Sequence, residues 1–184
     1  NRIAASLRAG AVTVNDVAQR AGNYPAPPGS PADIPGLEVA GTVIACGEAV
    51  TAWRAGDRVF GLVGGGGLSD AVAVHERHVA RIPDDLTDRE AAAVPEAFIT
   101  AHDAVFTQCE LKTGEWLLVH AVASGVGLAA LQLAKANGAM VLVDEAHSSQ
   151  TGEAARDLKA ALGSATAEAQ LEAAGLVLLH GDRD

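Results

Sequence analysis

Residues 116–143 read WLLVHAVASGVGLAALQLAKANGAMVLV, and three local patterns follow one another in them. Trp116 to His120 is a short apolar run of the kind buried in a parallel sheet. Val126 to Ala136 carries apolar residues at helical spacing, and Met140 to Val143 is a second short apolar run. Two parallel strands need a crossover between them, so strand, helix and strand together make one βαβ unit. The turn that joins the first strand to the helix is Ala123-Ser124-Gly125-Val126-Gly127. Small residues there let a backbone approach closely, and the amides and dipole of a helix N-terminus favour an anion, which suits a pyrophosphate. A tight strand-to-helix connection with no ligand has the same signature, and both readings stay open at this point.

Toward the C-terminus, Glu153 to Leu162 and Ala165 to Ala174 read as helices interrupted by Gly163, and Leu176 to His180 as a third strand. The sum is βαβαβ, half of a doubly wound dinucleotide fold. Asp144 ends the second strand 17 residues after Gly127, about where an acidic group holds the ribose of NAD. Asp144 and Glu145 would repel a 2′-phosphate and favour NADH.

Toward the N-terminus the rhythm is different. Residues 2 to 9 have helical character and stop at Gly10, and Ala11 to Val14 could be a short strand. Tyr24 to Pro35 is proline-rich and irregular. Leu37 to Ala45, Arg58 to Val63, Ala71 to Val74 and Val79 to Ile82 are short β-type runs, with Gly56-Asp57 as a turn and Gly64 to Gly67 as a flexible tip. This is the pattern of a small β-barrel. From Asp88 the chain becomes an alanine-rich helix capped by Thr87, broken at Pro95 and resumed over Ala97 to Phe106. The expected fold is therefore α/β plus β, a barrel over residues 1–94 followed by a truncated Rossmann-type parallel sheet over 95–184.

Composition narrows the function. The chain has 184 residues, 49% of them hydrophobic and 20% charged, with a formal net charge of -10. An acidic chain without clustered Lys and Arg is a poor nucleic-acid binder, and no run reaches the ~18 apolar residues of a membrane span. Cys46 and Cys109 lack the close second Cys or His of a zinc site and read as structural thiols in a reducing cytosol. The six histidines show no metal-binding spacing. The chain starts at Asn1 without the charged leader and apolar core of a signal peptide, so a cytoplasmic location is expected, and the missing initiator Met points to a fragment or processed start.

The segments DVAQRAGNYPAPPGSP (16–31), GLEVAGTV (36–43), WRAGDRVFGLVGGGG (53–67), PEAFITAHDAVF (95–106) and LKTGEWLLVHAVASGVGLAALQLAKANGA (111–139) occur in one order. In that order they resemble the quinone oxidoreductase branch of the medium-chain dehydrogenase/reductase superfamily. The resemblance implies a GroES-like barrel joined to a Rossmann domain, NADPH as hydride donor, or NADH if Asp144 contacts the ribose, and a small-molecule quinone or enone as acceptor. It places Thr100 near the nicotinamide amide, Tyr24 near the substrate pocket, and Ser124, Gly125, Val126 and Gly127 at the pyrophosphate. Zinc-dependent relatives carry a GHE motif, and Leu37 stands at the place of its His, so no zinc is expected. A family glycine is replaced by Val122, whose Cβ is expected where the cofactor passes and would weaken its binding.

Three flanking patches resemble other families. Residues 1–16 are similar to a stretch of aldehyde dehydrogenases, 141–164 to the DEAH box of type I restriction enzyme motor subunits, and 176–184 to the late strand and acid turn of α/β-hydrolases. Each lacks its chemical partner, whether a phosphate-binding G-x-x-x-x-G-K-[ST] or a G-x-S-x-G elbow. A mosaic of this kind also fits a second expectation, a non-catalytic recombined or truncated module with or without residual dinucleotide binding. A three-stranded sheet would leave Trp116 to His120 at an open edge, where a second copy of the chain could pair to give a homo-oligomer.

Overall fold

The computed structural model describes residues 1–144, and the chain divides into two compact units, Asn1–Ile99 and Thr100–Asp184. The helices and third strand expected after Asp144, and most of the two C-terminal patches, lie outside the described residues.

The first unit is built on β1 (Arg2–Ala9), α1 (Val14–Arg20), β2 (Glu38–Cys46), β3 (Arg58–Leu62), β4 (Ala71–His75), β5 (Val79–Arg81) and α2 (Asp88–Ala92). Its five strands form one sheet in the order β4-β1-β2-β3-β5, with every neighbouring pair antiparallel. Ile3, Ala5, Val43, Val59 and Val74 make one core cluster. Ala40, Ile82, Ala91 and Ala92 make another, which seats α2.

Residues 2–9 are a strand, not the expected helix. Their Ala, Leu and Arg are good helix formers, but Ile3 and Ala5 alternate with less buried neighbours at the period of two that a sheet requires. Pairing with β2 on one side and β4 on the other overrides the local preference. Ala11 to Thr13 are correspondingly not a strand, and a helix starts at Val14 instead. Asp16 begins that helix by accepting the Thr13 amide at 2.6 Å and the Thr13 hydroxyl at 3.0 Å, the backward reach of a capping box.

The glycines at 64–67, expected as a flexible tip, are instead tied down. The amides of Gly66, Gly67 and Leu68 donate to the carbonyls of Ile34, Gly36 and Pro35. Gly36 has φ +111°, and a Cβ there would lie 2.4 Å from the Leu68 nitrogen, so no other residue permits this approach. Both cysteines are free thiols and exposed, and Cys46 Sγ donates to the Trp53 carbonyl at 3.4 Å.

Between the two regions runs α3 (Pro95–His102), followed by a wider π-helical segment, Asp103–Gln108, where a continuous α-helix to Phe106 was expected. The second unit then contains β6 (Trp116–His120), α4 (Gly125–Ala136) and β7 (Met140–Asp144). The two strands are parallel, with Trp116 opposite Met140 and His120 opposite Asp144. On one face Leu117, Val119, Val141 and Val143 pack with Val122, Leu128 and Leu131. Trp116, Leu118 and Met140 occupy the other face and are 48%, 50% and 40% exposed. Among the described residues no helix is long and apolar enough to cross a membrane.

Candidate functional site

The expected pyrophosphate turn leaves β6 immediately after His120. Ala121 takes φ +50°, a left-handed conformation uncommon for a residue with a Cβ. The Ser124 amide closes the turn on the Ala121 carbonyl at 3.0 Å. Ser124 is the N-cap of α4, and its Oγ accepts the Gly127 amide at 3.0 Å, so the hydroxyl holds the first turn of the helix. Gly125 and Val126 are the first two helical residues and are exposed. Their amides come before any carbonyl a helical turn earlier and stand in the positive end of the dipole, where an anion is favoured.

Gly127 is what lets the helix begin so close to the strand. A Cβ at this position would fall 2.7 Å from the Ala121 carbonyl oxygen and equally near the Val122 Cα and carbonyl oxygen. Val122 itself is wholly buried and packs with Val119 and Leu131. Its side chain belongs to the core beneath α4, which corrects the expectation that it obstructs the cofactor's path. Asp144 pairs with His120 and so leaves the sheet at the same C-terminal edge as the turn, the edge where open α/β sheets bind ligands. The structure thus joins Ser124 to Gly127 and the backbone of Asp144 into one edge. Thr100 is exposed on a different element, α3, and Tyr24, 41% exposed, follows α1 in the first unit.

Sequence reasoning missed an acidic cluster in the first unit. Asp16 and Glu38 are each only 3% exposed. Glu38 Oε2 accepts the Glu96 amide at 2.9 Å, and Glu96 Oε1 accepts from the Asn15 side chain. Burial pushes the Glu38 carboxyl above its usual range, with the nearby Glu96 and Asp16 charges acting in the same direction against the stabilising Glu96 amide. The one signal in the sequence was an acid inside the apolar run LEVAG. Beside it, Leu37 is buried at 6% exposure and offers no lone pair. Among the described residues no group of three or more His, Cys, Asp or Glu could hold a metal ion. An open depression of about 280 Å³ lies elsewhere in this unit, lined in part by Pro28, Pro31, Arg2, His75 and His78.

Residues 2–84 match the alcohol dehydrogenase GroES-like domain, so the segment likened to aldehyde dehydrogenases is contained in that match from residue 2. Erythronolide synthase EryA2 of Saccharopolyspora erythraea is 46% identical over 136 residues, which are 74% of this chain and 4% of that protein. The synaptic vesicle membrane protein VAT-1 homolog-like of Mus musculus is 39% identical over 118 residues, 64% of this chain and 28% of that one. Among solved structures, the CurK enoyl reductase superposes with a TM-score of 0.72 at 26% identity, covering 95% of this chain and 56% of that one. The quinone oxidoreductase of Thermus thermophilus, also solved with NADPH, gives a TM-score of 0.61 at 34% identity over 77% of this chain and 44% of that one. The chain therefore spans about half the length of these solved neighbours and far less of the curated relatives. Residues 2–84 match the alcohol dehydrogenase GroES-like domain, and with the βαβ segment that follows, the chain has a fold that a quinone oxidoreductase and an enoyl reductase share.

Proposed function

We propose that the chain carries the nucleotide-binding edge of a zinc-independent, NAD(P)H-dependent reductase acting on quinones or enones. The observation that supports this best is the turn at 121–127, where a capped helix starts against the end of a parallel strand through a glycine that nothing larger can replace. The amides of Gly125 and Val126 bind the pyrophosphate, and Ser124 holds them in place through the Gly127 amide. A bound nicotinamide supplies a hydride to an electrophilic carbon of the acceptor. Thr100 orients the carboxamide and Tyr24 lines the acceptor side, so that positioning carries most of the catalysis. Leu37 replaces the metal ligand of zinc-dependent relatives. An acid at 144 favours NADH over NADPH, and comparable affinities for the two would remove that part of the reading. Two free thiols suit a reducing cytosol, and the edge of β6 offers a second copy a strand to pair with.

The same turn also serves a second reading, a module that holds a nucleotide without turnover. Titration with NADPH and NADH by fluorescence, followed by a simple quinone or enone while nicotinamide absorbance is recorded, separates the two. Binding with acceptor-dependent oxidation supports the reductase. Binding without oxidation leaves a nucleotide-binding module, and no binding to either cofactor rejects the site.

A further inference from the structure

We propose that Glu38, beside Asp16 and Glu96, is a proton-held latch: its carboxyl proton fastens α1 and α3 to β2, and release of that proton as pH rises weakens the fastening. The three groups come from three elements, Asp16 from α1, Glu38 from β2 and Glu96 from the first turn of α3. Donors reach only some of their oxygens. Thr13 serves Asp16 Oδ2, the Glu96 amide serves Glu38 Oε2, and Asn15 serves Glu96 Oε1. Asp16 Oδ1, Glu96 Oε2 and the neighbouring Gln19 Oε1 are buried with no partner.

Every group left over is an acceptor, and buried acceptors without donors are costly. The ion pairs Arg54–Asp57, Arg58–Asp88 and Arg81–Asp57 engage other carboxylates. A proton on Glu38 removes a buried charge and brings an O–H donor into a cluster of acceptors. The charges on the other elements around β2 are engaged or exposed. On α2, Asp88 is held by Arg58 of β3 and Glu90 by Thr87, while Arg89 is exposed. On β1, Arg2 and Arg8 are both exposed. Glu96 and Asp16 are thus the charges that act on Glu38, and both favour its protonated form.

With a folded-state value raised above the ordinary carboxylate range, Glu38 contributes stability that is fully present below that range and is lost as pH rises through the raised value. Each unit of displacement takes a factor of about ten from the folding equilibrium constant. Urea denaturation of the full chain from mildly acidic to mildly alkaline pH reads this directly. Wild type is expected to lose stability across that window, and Glu38→Gln, which keeps a donor and carries no charge, to be flatter with pH and more stable at neutral pH. Equal pH slopes in the two proteins overturn the latch. If the variant does not fold, a carboxyl-carbon NMR titration of wild type decides: a Glu38 midpoint above the ordinary glutamate value upholds the proposal, and one at or below it overturns it.

Discussion

Arg58 holds the Asp88 carboxylate through both Nε, at 3.0 Å, and Nη2, at 2.8 Å, and the same Nη2 reaches the Leu86 carbonyl at 2.7 Å. One side chain on β3 therefore fixes both the approach to α2 and its first residue. The pair is partly exposed, so solvent screens it. Replacing Asp88 with Asn is expected to cost about 1 kcal/mol in urea denaturation, with the difference shrinking in high salt. A loss that does not respond to salt would mean that the carboxylate's charge is not what holds the helix.

Thr87 and Glu90 close a reciprocal cap, with the Glu90 amide 3.2 Å from the Thr87 hydroxyl and the Thr87 amide 2.9 Å from Glu90 Oε2. Hydrogen bonds from the Thr87 hydroxyl and then its amide hold the Glu90 carboxyl below its usual range. A lowered value means that the associated stability is present above the ordinary carboxylate range and lost as pH falls through the folded value. Thr87→Ala should cost about 1 kcal/mol near neutral pH. The gap from wild type should narrow in acid, and denaturation midpoints taken down the acid limb will show whether it does.

Gly127→Ala is expected to be among the most damaging single substitutions in the second unit. Its Cβ would meet the Ala121 and Val122 backbone at 2.7 Å, and backbone cannot swing aside as a flexible side chain can. A loss of roughly 1–3 kcal/mol is expected from overpacking, together with weaker binding of NADH and NADPH. Unchanged nucleotide affinity in a folded variant would detach the turn from the proposed site.

Trp116, Leu118 and Met140 leave an apolar face of the β6–β7 pair half open. Exposed patches of this kind drive association or binding of apolar dyes. Sedimentation of the chain should shift with concentration, and Leu118→Lys should reduce that shift. A chain that sediments identically over a wide concentration range argues against pairing between copies.

Local patterns carried most of what the sequence disclosed. The βαβ unit, the Thr87 cap and the break at Pro95 each depend on a few neighbouring residues, and each stands where it was expected. What was not legible came from distance. Residues 2–9 become a strand because β2 and β4 lie on either side of them, and nothing within the segment announces those partners. Asp16, Glu38 and Glu96 are remote in sequence and meet only when α1, β2 and α3 fold together. The side chain at 122 was misjudged for a related reason. A turn's residue types show what is present, while the backbone path decides where each bond points.

That direction has a wider meaning for Val122. Ala121, Ser124, Gly125 and Val126 face solvent at the turn, whereas the Val122 side chain is wholly buried with Val119 and Leu131 beneath the helix. Position 122 can therefore drift among small apolar residues under the discipline of the core alone, while position 127 stays bound to glycine by the Ala121 and Val122 backbone of the turn. Two neighbouring letters of one motif answer to different masters, and kinship at this site is better judged by bond direction than by counting glycines.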